Sequence, residues 1–322
     1  MKRLLLSIFI TVGIILFLFT QISLKDLYTL LKGIDPFWAI LGSIGYFLAI
    51  LFRAIRFQWL IHSKDISLSE LFGISVLYHL SLMVLPSKLG ELSYPYLLNK
   101  FSRMTITEGM ASLIASRVYD FFIVLMIFLF ASIGFQHFFQ INFLFVVLLC
   151  IFLIGMTLLL FFYMTDLLRL FSNLMGGMSL RTGSKESKPF QWIQRKIHEV
   201  AEDFYAIKAR KTYLSVTVTS LVSWIMIFWT FHALLRAFRT EVSFLSMVFG
   251  STVAVIANAL PISGIGNWGT LEAGWAAGFL MVGVPKEEAI ATGFGVHIVI
   301  FMICAIMSFF SWATLTLRRQ KQ

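Results

Sequence analysis

The chain has 322 residues, of which 59% are hydrophobic and only 13% are charged, and its formal net charge is +10. Soluble domains carry about twice that charged fraction, so the composition excludes an ordinary soluble enzyme or binding domain. The positive charge lies largely in segments beside apolar stretches, which is typical of contact with anionic lipid and does not indicate nucleic-acid binding. The two cysteines, Cys150 and Cys304, both lie in apolar stretches, so no disulfide framework, metal site or cofactor is predicted.

Six apolar stretches are long enough to cross a bilayer, because about 20 apolar residues span its hydrocarbon core as a helix. They are continuous and do not alternate with polar residues, which favours helices over strands. The predicted spans, in chain order, are residues 4–22, 36–60, 110–134, 142–164, 212–235 and 289–315. The first span follows Lys2 and Arg3 without a small-residue cleavage site, so we interpret it as an uncleaved span.

Two further apolar regions, about 70–98 and 243–284, are each interrupted by proline and glycine. The first break reads Pro86-Ser-Lys-Leu-Gly-Glu91, and the second reads Pro261-Ile-Ser-Gly-Ile-Gly-Asn-Trp-Gly269. An apolar arm on each side of such a break is typical of a re-entrant hairpin or a pair of broken helices. The arms are long, so full crossings remain an alternative.

The distribution of Lys and Arg predicts the orientation. With the N-terminus inside, 19 of the 26 Lys and Arg lie in cytoplasmic segments and five lie outside, so both termini are predicted to be cytoplasmic. The two broken regions would then enter from opposite faces, and the halves 1–138 and 142–322 would each read span, span, hairpin, span. The sequence therefore predicts a single all-α polytopic membrane domain, 1–322, built as an inverted repeat.

One long polar segment, 166–211, is predicted to be a cytoplasmic loop. Within it, residues 190–210 place apolar side chains such as Trp192, Val200 and Phe204 on one helical face and charged ones on the other. This pattern predicts an amphipathic helix on the inner leaflet. A solvent-facing connector helix is the alternative.

Ionisable residues at membrane depth are costly, which makes each one a candidate for function. In the first break, Lys88 and Glu91 are spaced to pair in a helix, and Gly90 would let the backbone approach a ligand; a solvated turn is the alternative. In the third predicted span, Arg117 and Asp120 share a helical face. Arg117 is expected to receive a phosphate oxygen and Asp120 to orient it, unless the two form a structural ion pair.

The second break places polar residues and glycines in an apolar context. A helix that begins near Gly269 would direct its first backbone N–H groups into the membrane, where they favour an anion. Glu272, in the first turn, would cap this helix, carry a proton or pair with a cation. His297 lies in the middle of the last span and is either packed or part of a site. Arg53 and Arg56, near the end of a span, are predicted to be anchors that reach the membrane surface.

From these patterns two groups of residues are selected. The predicted substrate-binding residues are Lys88, Glu91, Arg117, Asp120, Asn258, Asn267, Glu272 and His297. The predicted backbone or hinge residues are Pro86, Gly90, Pro261, Gly264, Gly266 and Gly269. No catalytic residue or enzyme motif is identified.

The motifs at these breaks resemble a known family, the membrane domain of lysylphosphatidylglycerol synthases. The resemblance rests on Leu85-Pro86 with Gly90-Glu91, on Arg117-x-x-Asp120, and on Leu260-Pro261 with Gly264, Gly266 and Glu272. It covers nearly the whole chain and implies a flippase-like domain. Members often carry Arg where this chain has Tyr94 and His297, which implies a different headgroup. Because the chain ends at Gln322, the resemblance implies a form without the aminoacyl-transferase domain and argues against lipid aminoacylation.

The favoured function is a lipid flippase. It would move a phospholipid or polyprenyl-phosphate-linked headgroup through a polar midplane site, across a bacterial or archaeal cytoplasmic membrane. The alternatives are an ion-coupled secondary transporter of a small polar solute and a membrane subunit of a lipid-modifying synthase. The expected partners are membrane lipids with anionic or phosphate-bearing headgroups; nucleic acid is not expected, and a homodimer is left open.

Overall fold

The computed structural model describes residues 24–61, 66–134, 143–181, 188–259 and 266–320, and this part of the chain consists of helices and short connections without a strand. A 3-10 helix, Ser87–Leu92, lies between α3 and α4. The α-helices are α1 (Leu24–Lys32), α2 (Pro36–Leu60), α3 (Leu68–Val84), α4 (Ser93–Ser102), α5 (Ile106–Gly134), α6 (Phe143–Arg181), α7 (Lys188–Ala209), α8 (Tyr213–Ala237), α9 (Phe244–Ala259), α10 (Thr270–Met281) and α11 (Lys286–Arg319).

Four helices of the described part, α2, α5, α8 and α11, are long and apolar enough to cross a membrane. They coincide within a few residues with four predicted spans, so the all-α, multi-pass class is confirmed. The predicted span 142–164 falls in α6, which bends by 61° between Val147–Thr157 and Phe162–Leu174. This helix continues to Arg181, where the sequence predicted a loop. The span 4–22 lies outside the described residues, and the six-span count, the inverted repeat and the cytoplasmic termini remain predictions.

Local sequence signals set the helix boundaries. The Asp35 side chain caps α2 by accepting a hydrogen bond from the N–H of Phe37 at 2.9 Å, and Pro36 occupies the first helical position. The Ser67 hydroxyl caps α3 in the same way. Leu85, which precedes Pro86, adopts an extended conformation because proline disfavours a helical residue before it. The predicted first break therefore falls where α3 ends.

Helices α2 and α8 form an antiparallel pair with many contacts along their length. Near one end of the pair, Gly42 lies against Leu234. Near the other end, Arg53 donates a hydrogen bond to Ser223 at 3.3 Å, and the neighbouring Arg56 lies one helical turn further along. Their contact brings the charged end of α2 into the interior of the bundle.

The first broken region folds as an antiparallel helical hairpin, which we call hairpin A (α3, the 3-10 helix and α4, residues 68–102). Near its tip, Gly90 lies against the backbone of Leu82. At its base, the Ser102 hydroxyl donates to Glu70 at 2.6 Å. The segment thus returns to the end from which it starts, as predicted, although its depth in a membrane stays a prediction.

The second broken region also forms an antiparallel hairpin, called hairpin B (α9 and α10, residues 244–281). The two helices approach closely because small residues face each other: Gly274 lies against Ala254, and Gly278 lies against Gly250. A Cβ at position 278 would lie 2.2 Å from the carbonyl oxygen of Gly250. Small residues on both helices therefore permit this packing.

Helix α11 runs along both hairpins. Its N-terminal half packs against α10, where His297 meets Glu272. Its C-terminal half packs against α3, where Arg318 donates to Ser69 at 2.7 Å. Helices α3 and α10 consequently lie end to end along α11, and the bases of hairpins A and B point towards opposite ends of this helix.

The tips of the two hairpins touch each other. The backbone N–H of Gly266 donates to the carbonyl oxygen of Leu85 at 3.1 Å. Gly266 has φ +58°, and a Cβ there would lie 2.0 Å from the carbonyl oxygen of Met83. A glycine is required at this position both by its backbone conformation and by the lack of space.

Helix α5 repeats the role of α11 for the opposite pair of helices. It packs against α4, where Gly109 lies against Pro95, and against α9, where the rings of Phe128 and Phe249 stack at 5.4 Å. Each long helix therefore contacts the second helix of the hairpin that precedes it and the first helix of the other hairpin.

The predicted amphipathic helix is present as α7 and packs antiparallel to the end of α6. Arg169 on α6 pairs with Glu202 on α7 at 2.8 Å. The apolar face of α7 is buried in the protein at Ala201 and Phe204, whereas Trp192 is 59% exposed. Its position on the inner leaflet stays a prediction.

We predict that Gly278→Ala destabilises hairpin B. The added methyl group overlaps the Gly250 carbonyl, and overpacking of this kind costs about 1–3 kcal/mol. The matched control is Gly155→Ala on α6, where a Cβ meets nothing within 4 Å. Thermal unfolding in detergent is expected to show a decrease in melting temperature for Gly278→Ala and no decrease for Gly155→Ala. Equal melting temperatures of the two variants would contradict the close contact.

Candidate functional site

A buried ion pair joins α2 and α5. The Arg56 guanidinium donates to both carboxylate oxygens of Asp120, at 2.5 and 3.2 Å, and these side chains are 2% and 8% exposed. Asp120 also accepts from the indole N–H of Trp224 at 3.0 Å, and Arg56 donates to the hydroxyl of Ser220 at 3.2 Å. Ser220 and Trp224 both belong to α8, so the ion pair between α2 and α5 also binds a third helix.

A second ion pair lies next to the first and links hairpin A to α5. The Arg117 guanidinium contacts both oxygens of the Glu91 carboxylate, at 2.9 and 2.8 Å. The Tyr78 hydroxyl donates to Glu91 at 2.5 Å and accepts from Arg117. Arg117 also lies 3.5 Å from Asp120, as the shared helical face predicted. The two ion pairs therefore form one connected network.

Arg53 extends this network towards α3. One guanidinium nitrogen meets the Nε2 atom of His79, whose Nδ1 atom lies 2.7 Å from the carbonyl oxygen of Ser75. Because Nδ1 donates its proton to that carbonyl, Nε2 accepts from Arg53 and the imidazole is neutral. The guanidinium also lies 5.5 Å from the centre of the Trp224 ring, a cation–π arrangement.

We call these seven side chains the first polar cluster: Arg53, Arg56, Tyr78, His79, Glu91, Arg117 and Asp120. Its described members carry three positive and two negative charges, which leaves a net charge of +1. Arg117 is an accessible cation of the cluster, since 40% of its side chain is exposed. The cluster can therefore accept one more anionic group, and Arg117 is where it can do so.

A second polar cluster lies between hairpin B and α11 and consists of Trp268, Gly269, Glu272 and His297. One oxygen of Glu272 meets Nδ1 of His297 at 2.6 Å, and the other accepts from the backbone N–H of Gly269 at 2.7 Å. The ring of Trp268 stacks on the imidazole at 4.0 Å. Glu272 is 0% exposed and His297 is 2% exposed. Glu272 thus caps α10, which is one of the roles that the sequence left open, and its other oxygen contacts the imidazole of His297.

The remaining predicted residues lie around the two tips. The carbonyl of Asn267 accepts the N–H of Leu271 at 3.1 Å in the first turn of α10, and Asn258 lies half-buried near the end of α9. Gly269 precedes α10 with φ +85°. Lys88 belongs to the 3-10 helix, but its side chain lies outside the described part, so its predicted pairing with Glu91 is not described. Pro261 and Gly264 lie outside the described residues.

Two arginines of the first polar cluster were misjudged from the sequence. Arg53 and Arg56 were predicted to be anchors at the membrane surface, but Arg56 is buried and pairs with Asp120, so this prediction is wrong for Arg56. Arg53 is bound within the bundle by His79 and Ser223. Ser220 and Ser223 on α8 share the spacing of the two arginines, and this polar stripe in an apolar helix is the signal that identifies the contact.

Comparison with known proteins gives one match. The family model described as the lysylphosphatidylglycerol synthase TM region matches residues 4–308. No curated protein and no solved structure matches the chain.

We predict that Asp120→Ala strongly destabilises the protein, because it leaves the buried Arg56 charge unpaired. Removal of one partner of a buried ion pair typically costs about 3–5 kcal/mol, whereas an exposed pair contributes less than about 1 kcal/mol. Glu202→Ala, which breaks the exposed pair with Arg169, is the control. The free energy of unfolding in detergent is the measurement, and equal losses in both variants would contradict the structural role of the Arg56–Asp120 pair.

Proposed function

The chain belongs to the family of the lysylphosphatidylglycerol synthase transmembrane region, and from this membership and the site geometry we propose that it is a lipid flippase. It moves a phospholipid or a polyprenyl-phosphate-linked lipid across the membrane. The phosphate-bearing headgroup passes through the first polar cluster, while the apolar tails remain in the bilayer.

The observation that carries this proposal is the uncompensated positive charge beside a partly exposed guanidinium. A net charge of +1 at membrane depth is unfavourable unless a ligand balances it. A phosphate oxygen at Arg117 supplies that balance, and the planar guanidinium suits bidentate contact with phosphate. Arg56 and Asp120 hold Arg117 in place from the buried side.

The surface around Arg117 and Glu91 supports a lipid as the ligand. Leu85, Leu89 and Leu92, which flank the tip of hairpin A, are 37%, 55% and 51% exposed. Exposed leucines next to a polar cluster suit acyl or polyprenyl chains beside a headgroup. An ion-coupled transporter of a small polar solute would instead favour a sealed cavity with polar walls. A lipid-modifying role is less favoured, because no catalytic motif accompanies the cluster.

The contacts of Glu91 support a sequence of events for this proposal. Its carboxylate binds both Arg117 and Tyr78, and a phosphate would compete with it for the guanidinium. Exchange of Glu91 for phosphate releases the tip of hairpin A from α5. Movement of this tip against hairpin B, which it touches through Leu85 and Gly266, would expose the headgroup to the opposite face.

We predict that Arg117→Ala and Glu91→Ala abolish lipid flipping. The first removes the cation that receives phosphate, and the second removes the carboxylate that orients it. Arg117→Lys should retain a small part of the activity, because an ammonium carries the charge but not the bidentate geometry. The measurement is the loss of fluorescence beyond the outer-leaflet share when dithionite is added to proteoliposomes that carry labelled phosphatidylglycerol in both leaflets.

The matched control is Arg169→Ala, which removes an exposed arginine that also pairs with a glutamate. It should flip lipid at the rate of the unaltered protein. Size-exclusion profiles and melting temperatures identify variants that fail to fold. Undiminished flipping by well-folded Arg117→Ala and Glu91→Ala would remove the site assignment, and no flipping by the unaltered protein with any anionic lipid would remove the proposed function.

A further inference from the structure

The two polar clusters occupy equivalent places in the two halves of the fold. In each, a glutamate beside a hairpin tip pairs with a base on the long helix that follows: Glu91 with Arg117 on α5, and Glu272 with His297 on α11. The partners are separated by 26 residues in the first case and 25 in the second. The helices that bear the bases also make equivalent packing contacts, since each contacts its own hairpin and the other one.

The two pairs differ in one chemical property. An arginine guanidinium keeps its proton under all conditions that proteins meet, so the Glu91–Arg117 pair has a fixed charge. A histidine imidazole gains and loses a proton near neutral pH. The Glu272–His297 pair is therefore neutral when the imidazole is protonated, and it carries one negative charge when the imidazole is not.

The pair is buried, so a change in its charge has a large effect on its free energy. Glu272 is 0% exposed, and its two oxygens are bound by His297 and by the Gly269 N–H. Trp268 covers one face of the imidazole. Two hydrogen-bond partners and the N-terminus of α10 favour the Glu272 carboxylate, but a net negative charge in this buried position still costs free energy, so we expect proton loss to accompany another change in charge or in access.

Other titratable or charged groups stand on the elements packed against the pair. They are Lys25, Asp26, Tyr28 and Lys32 on α1, Tyr46, Arg53 and Arg56 on α2, Glu70, Tyr78 and His79 on α3, Lys88 and Glu91 at the tip of hairpin A, Tyr213, His232 and Arg236 on α8, and Lys286, Glu287, Glu288, Cys304, Arg318 and Arg319 on α11. Those of the first polar cluster bind one another, and Lys25, Lys32, Lys286 and Glu287 are exposed near helix ends. His232 contacts aromatic rings of Trp38, Trp229 and Phe244. His297 is therefore the base to which proton exchange beside Glu272 is assigned.

We propose that Glu272 and His297 form a proton-binding site that couples movement of the lipid headgroup to a proton gradient. This inference rests on the proposed function and names its coupling ion. An N–H bond forms on the imidazole when a proton arrives from one aqueous face, and the same bond breaks when the proton leaves to the other. The proton balances the negative charge of the phosphate, so headgroup and proton cross together as a neutral load.

The test uses phosphatidylcholine proteoliposomes that contain a trace of fluorescent phosphatidylglycerol and are held at a fixed difference in pH. With one proton per headgroup, the labelled lipid accumulates in the leaflet that faces the more alkaline side, by up to about tenfold per pH unit. The probe measures the ratio of label between leaflets at steady state, which a purely structural role of the pair would not shift.

His297→Arg is the decisive variant, because it makes the second pair resemble the first, with charge but without an exchangeable proton. At every pH difference the labelled lipid should show no accumulation on the alkaline side, and the dithionite assay reports separately how fast this variant flips it. His297→Gln is the second variant, in case the larger side chain of arginine prevents folding. Glutamine cannot carry the proton either, so this variant should also lose the pH response. His232→Gln, on α8, is the control and should keep the full response.

The outcomes separate this inference from the proposed function. Flipping by the unaltered protein with no response to the pH difference, accumulation on the acidic side, or a response that survives in His297→Arg would overturn the proton site and leave the flippase in place. Absence of flipping in the unaltered protein would instead overturn the proposed function.

Discussion

Between α2, α5 and α8, the guanidinium of Arg56 and the carboxylate of Asp120 satisfy each other where water is excluded. Either charge alone would be untenable at this depth, so the three helices are held in one arrangement. That arrangement fixes the position of Arg117, three residues before Asp120 on the same face of α5, and thereby the place where Glu91 can reach it. The accessible part of the first polar cluster thus depends on the buried part.

A second constraint comes from the breaks themselves. Where a helix ends among packed apolar side chains, its free backbone groups need partners that such surroundings do not provide. Hairpins A and B meet this need in part through each other, because the N–H of Gly266 binds the carbonyl of Leu85. Glu272 satisfies the N–H of Gly269 in the same region. The tips that carry Glu91 and Glu272 are therefore in contact through their backbones.

The sequence predicted those features that depend on local signals. Apolar length located α2, α5, α8 and α11, and Pro86 with Gly90 located the first break. It could not predict which distant charges meet, because the partner of Asp120 lies 64 residues away on α2 and that of Glu91 lies 26 residues away on α5. Arg56 was misjudged for this reason: an arginine four residues inside a span end can reach the surface or turn inward, and only the packing of α2 against α8 decides between them.

That hairpins A and B enter the membrane from opposite faces remains a prediction, and it can be tested directly. Single cysteines at Lys100, near the base of hairpin A, and at Glu241, just before hairpin B, test it in a protein whose two native cysteines are replaced. Both positions are exposed. Labelling with a membrane-impermeant maleimide in sealed vesicles of one orientation should modify one of the two cysteines, and vesicles of the opposite orientation should modify the other. Modification of both cysteines from the same face would contradict the account.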